Sequence, residues 1–184
     1  MINDRPIFRS TKFAFNHSTS FHPGLTILLP YLISQNKKWK GCSLRILTPA
    51  SDKKKNVKSN QIRMANLLKK FRITFSGIVE VEGINSKPSQ QSIDTFFNNS
   101  PTQREELAPG EPLYKKTLRQ IRFGELLREH SSQAQLVVVT MPIGRKTVVS
   151  NGLYMAWLET ISNGLDTQIL LVRGNQTSVL TFYS

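Results

Sequence analysis

The sequence is short of acid. Its 184 residues hold 12 Asp and Glu against 25 Lys and Arg, a net charge of +13, with a pI near 10.2. Such a balance attracts anions of several kinds, from nucleic acid to acidic lipid to an acidic protein face, without choosing among them. Cysteine is scarcer still. Cys42 stands alone, which excludes an internal disulfide framework and suits a reducing compartment. The three histidines, His17, His22 and His130, lack ligand spacing on any one segment. A zinc site needs several N or S ligands converging, so no metal site is expected. Long apolar runs are also missing. The longest, Leu25 to Ile33, has nine residues and includes Thr26 and Pro30, whereas a helix crossing a bilayer needs about 20. Met1 is followed by Asn3, Asp4 and Arg5 rather than an apolar stretch, so no secretory signal is expected.

Catalytic signatures are absent too. There is no G-x-S-x-G elbow, no G-x-x-x-x-G-K-[ST] loop and no G-x-G-x-x-G turn, each of which places backbone or nucleophile for a defined chemistry. Ser131 and Ser132 follow His130, but adjacency along the chain does not build a triad. No catalytic residue is assigned, and an enzyme is not expected.

What is present is the composition of one soluble globular domain, 39% hydrophobic and 20% charged, with a mean hydropathy of −0.28 and enough length for a sizeable core. Residues 1–23 read as irregular, apart from a short strand at Lys12–Phe15. GLTILLPYLI, Gly24–Ile33, reads as a buried helix limited or kinked by Pro30. SLRILT at Ser43–Thr48 is a strand, and Pro49–Lys58 a lysine-rich loop. In the helix expected over 59–71, Met64, Leu67, Leu68 and Phe71 share one face. Ile73–Val81 reads as a strand. Residues 85–111, rich in Pro, Ser, Asn and Gln, read as a linker or loop insertion with room for a short helix at Gln91–Phe97. A helix follows over Pro112–His130, with Pro in its first turn. Its apolar stripe is unclean, pointing either to a kink at Gly124 or to burial on more than one side. QLVVVT, Gln135–Thr140, suits a central strand covered on both faces. A helix over 150–162, a strand at Gln168–Val172, a turn at Gly174–Gln176 and a returning strand at Ser178–Tyr183 complete the pattern. The alternation predicts an α/β domain: a layered, largely parallel sheet flanked by helices, with an antiparallel C-terminal edge hairpin.

Two stretches invite a binding role. In MPIGRK, Met141–Lys146, Gly144 would let backbone amides approach an anion, Arg145 and Lys146 would supply charge, and the next helix start would add its positive pole. The alternative is an ordinary strand-to-helix connection with solvated basic residues. Between Lys37 and Arg72 lie twelve basic residues and one acid, Asp52. No nucleic-acid motif accompanies them, and charge alone supports only salt-sensitive, non-specific binding, so nucleic acid is a disfavoured partner. Tyr154, Trp157 and Phe182 are candidates for core or for an interface.

Tyr114–Ser184 carries the phrases LYMAWLE (Leu153–Glu159), LLVRGN (Leu170–Asn175) and VLTFYS (Val179–Ser184). These closely resemble the C-terminal end of the sodium-dependent cation–chloride cotransporters, above all the sodium–potassium–chloride members. GLTILLPYL (Gly24–Leu32), KKWKGCSLRI (Lys37–Ile46), MANLLKKFRITFS (Met64–Ser76) and INSKP (Ile84–Pro88) extend the resemblance, in order, over most of the chain from Gly24. It implies that residues 24–184 are the distal half of a cytosolic C-terminal domain that dimerises and regulates transport at the plasma membrane. Such a chain, fragment or short form, moves no ions alone and is soluble and cytoplasmic if expressed by itself. The implied partners are another copy or another cotransporter C-terminal domain, the parent's membrane domain and acidic lipid. No cofactor is required, and ATP is the one left open. Two departures stand out. The family's acidic, tryptophan-rich strand before the glycine–leucine–threonine run is replaced by HSTSFHPGLTILL, so a sheet strand is expected to be missing or replaced. The region between Gln90 and Glu111 is shorter than in typical members, as for a trimmed surface loop.

Overall fold

The structure is a computed structural model that describes residues 11–15, 24–39, 41–50, 57–101, 104, 106–145 and 148–174. Five strands form one sheet in the order β3-β2-β1-β4-β5. They are β1 (Thr11–Phe15), β2 (Ser43–Pro49), β3 (Gly77–Val81), β4 (Ala134–Thr140) and β5 (Gln168–Val172). Every described pair is parallel. The antiparallel return at Ser178–Tyr183 lies outside the described residues. The short strand expected near Lys12 is the central one: β1 pairs Phe13 with Arg45 on one side and with Val137 on the other. A strand thus occupies the centre of the sheet ahead of the glycine–leucine–threonine run.

Parallel neighbours require crossovers, and right-handed ones fix which face each helix covers. α1 (Gly24–Ser34) and α2 (Val57–Lys70) lie on one face. There Ile27, Met64 and Leu68 pack on Leu44 and Ile46. The chain then crosses beneath the sheet. α4 (Pro112–Ser131) and α5 (Asn151–Ser162) cover the other face, where Phe123, Leu126, Leu127 and Ile161 meet Leu47, Val137 and Val139. Alternation along β4 follows the pleat: Leu136 and Val138 face the α1 side, Val137 and Val139 the α4 side. This two-sided burial explains its unbroken β-branched run.

α3 (Gln90–Asn99) occupies the segment read as a loop insertion. Its Ile93, Phe96 and Phe97 are buried with Ile121, Leu153 and Trp157 in a helix-on-helix cluster outside the α4 layer. α4 is therefore buried on two sides, which is why its stripe is unclean. It runs through Gly124 as one helix. A Cβ there would stand 2.6 Å from the Thr160 carbonyl oxygen, so glycine permits close contact with α5 rather than a kink. α1 likewise runs past Pro30 to Ser34.

The strand expected from Ile73 begins only at Gly77, because residues 72–73 terminate α2. The Arg72 amide donates to Lys69 and the Ile73 amide to Leu68, with Arg72 at φ 53°. This double reverse bond is a Schellman ending. It turns Ile73 into the core, where it is 4% exposed.

Candidate functional site

A doubly wound sheet binds ligands beyond the carboxyl ends of its strands, at the point where strand order reverses. Here that point lies between β1 and β4. The hydroxyls of Thr26, in the first turn of α1, and Thr140, the last residue of β4, are 2.7 Å apart and hydrogen-bonded. That bond ties the helix start to the strand end across the switch point.

The loop after β4 leads away from it. The Met141 amide donates to the Val172 carbonyl, extending the β4–β5 pairing by one residue. The Arg145 carbonyl accepts from the amides of Val148 and Val149 at 3.0 Å, closing a turn that buries Val149. Ser150 then caps α5, its Oγ accepting from the Leu153 amide at 3.1 Å. The same hydroxyl donates to Glu106 Oε2 at 2.8 Å. The pole of α5 is thus engaged by its own serine. Gly144 packs closely on Tyr154: a Cβ there would meet the ring at 3.0 Å. Tyr154 holds the loop by donating its hydroxyl to the Pro142 carbonyl at 3.1 Å. Trp157 is wholly buried. Its Nε1 donates to Thr117 Oγ1 at 3.0 Å, and that hydroxyl donates on to the Leu113 carbonyl at 3.0 Å. It is a satisfied core tryptophan. Lys146 and Phe182 lie outside the described residues.

Of the expected loop residues, Arg145 joins a residue that the sequence reading passed over. Lys116, on the second turn of α4, donates its ammonium to the Ile143 carbonyl and lies 5.2 Å from the centre of the Trp157 ring, a cation–π distance. Burial lowers its pKa, and the neighbouring Arg145 charge lowers it further. Lys116 and Arg145 line a pocket of about 200 Å³ with Pro112, Leu113, Val148 and Val149. The pocket joins two segments far apart in sequence, and no local motif announces Lys116.

Among the described residues no helix is long and apolar enough to cross a membrane. The family model for solute carrier family 12 matches residues 22–184. The chain is 43% identical over 182 residues to solute carrier family 12 member 2 of Mus musculus, a match covering 88% of this chain and 15% of that protein. Against member 2 of Danio rerio the identity is 45%, with 88% and 16% covered. Against member 3 of Pseudopleuronectes americanus it is 36%, with 87% and 18% covered. The chain therefore spans less than a fifth of the length of these relatives. A match along nearly the whole chain, at these identities, carries a single conclusion: the chain belongs to solute carrier family 12.

Proposed function

We propose that residues 24–184 are the distal half of the regulatory, dimerising C-terminal domain of a sodium-dependent cation–chloride cotransporter. The domain sits at the cytosolic face of the plasma membrane and has no enzymatic role. The observation that carries this reading is the family match over residues 22–184, on a fold whose described helices cannot span a bilayer. Ion movement belongs to other parts of such a transporter, and this domain acts through contacts. Apolar side chains left in solvent, Leu32 at 53%, Ile62 at 57% and Met155 at 62% exposed, and β3, at the end of the strand order among the described residues, supply surface for a second copy. The net charge of +13 favours a position beside acidic lipid. Sedimentation of the 184-residue chain tests the reading. Concentration-dependent dimers, and co-purification with a tagged second copy, are expected. A strict monomer throughout the micromolar range would count against it.

The doubly wound strand order supports a second reading, a nucleotide- or anion-binding module. The Thr26–Thr140 bond at the switch point and the Ser150 cap weigh against nucleotide there. The Lys116–Arg145 pair favours the narrower, anion form of that reading.

A further inference from the structure

The pocket at the start of α4 combines three features. It brings two cations together, and among the described residues no carboxylate pairs with either Lys116 or Arg145. Like charges on neighbouring side chains, one half-buried and one exposed, repel, and a bound anion would relieve both. Its floor is apolar, made by Pro112, Leu113, Val148 and Val149. Its third feature is size. About 200 Å³ is below the roughly 300–1,000 Å³ of pockets that enclose a drug-sized ligand, so the pocket is too small for a nucleotide and suits a short side-chain contact. The start of α4 adds to the field. Pro112 and Leu113 place the first turn of a 20-residue helix at the pocket wall, with Glu111 at its N-cap.

We propose that this pocket docks an acidic peptide segment of a partner protein, a carboxylate lying between Lys116 and Arg145 and a neighbouring aliphatic side chain resting on the Pro112–Val149 floor. Charge complementarity selects the acid. The floor, continued outward by Val148 at 55% and Ile143 at 51% exposed, selects a peptide over a bare anion. The inference rests on the narrower, anion form of the second reading and is independent of dimerisation.

The test titrates the full 184-residue chain with acetyl-Asp-Leu-Glu-Leu-Asp-amide, following backbone amide shifts by NMR. Parallel titrations use the Lys-Leu-Lys-Leu-Lys counterpart, inorganic phosphate and ATP. The expected result is saturable shifts at Leu113, Arg145, Val148 and Val149 with the acidic peptide alone, weakened by salt. Arg145→Gln, at an exposed position, and Lys116→Met should each weaken binding about tenfold, with Arg145→Gln leaving the melting temperature unchanged. Saturation by phosphate or ATP at or below the peptide's concentration would overturn the proposal. So would unaltered binding by Arg145→Gln, or peptide shifts confined to another surface. Loss of self-association would leave these outcomes unaffected, so the two readings fail separately.

Discussion

At the scale of single residues, two positions are decided by magnitudes. Helix propensity favours alanine over glycine by about 1 kcal/mol, so Gly124 within α4 looks improvable from sequence alone. The structure reverses the sign. The added methyl would press on the Thr160 carbonyl, a backbone atom, at 2.6 Å, and the α4–α5 contact would have to open. Arg128 Nη1, which donates to the carbonyls of Thr160 and Asn163 at 3.3 and 3.1 Å, would be strained with it. Gly124→Ala is expected to destabilise by about 1–3 kcal/mol, as overpacked sites do, read by thermal denaturation. Glu125 is the second case. Burial alone would raise its pKa, but hydrogen bonds from Arg122, Ser89 and Ser92 outweigh it and hold the carboxyl at about 2. The folded value lies below the usual 4.5, so the stabilisation is complete above about pH 4.5 and lost as pH falls toward 2. Glu125→Gln should lower the urea midpoint at neutral pH and flatten the acid limb of the stability profile. An unchanged acid limb would refute that role.

At the scale of elements, legibility follows from how each helix and strand is buried. β4 and α5 were readable because their apolar residues lie close together in sequence. α3 was half hidden: Ser89 caps it through the Ser92 amide at 3.2 Å, and Ile93, Phe96 and Phe97 have helical spacing, yet the prolines around it read as loop. Its place depends on a partner remote in sequence, since Glu125 of α4 accepts from the Ser89 amide at 2.8 Å and from Arg122 at 2.8 Å. The end of α2 was read to within a residue, but the strand after it was started too early at Ile73, because the residue in the left-handed cap is arginine, where glycine is the usual signal. That choice costs energy. The left-handed region disfavours a side chain by about 1–2 kcal/mol, partly offset by glycine's greater freedom when unfolded. Arg72→Gly should therefore raise stability by about 0.5 kcal/mol, seen as a higher denaturation midpoint. A fall would mean that the arginine side chain carries contacts that outweigh the strain. The candidate site was legible only in part, since Gly144 and Arg145 lie in one loop whereas Lys116 is brought to them by the packing of α4 on α5.

At the scale of the molecule, stability should fall from the middle of the sheet outward. Val137, Val138 and Val139 of β4 are fully buried, whereas β3 and β5 are half-exposed along most of their length. Amide hydrogen exchange should be slower in β4, buried on both faces, than in β3. Uniform protection across all five strands would contradict this layering.

The strand order also sets a timetable for synthesis. β1 is made before β4, one of its two neighbours, whose last paired residue is Val139. β2 and β3 can assemble on the other side as they emerge, but that edge of β1 stays bare until β4 leaves the ribosome. At roughly 5–20 residues per second, the interval from β2 to β4 lasts on the order of 5–20 s. For that time the nascent chain presents an open, aggregation-prone strand edge, so its yield in the cell should depend on chaperones more than the finished sheet would suggest.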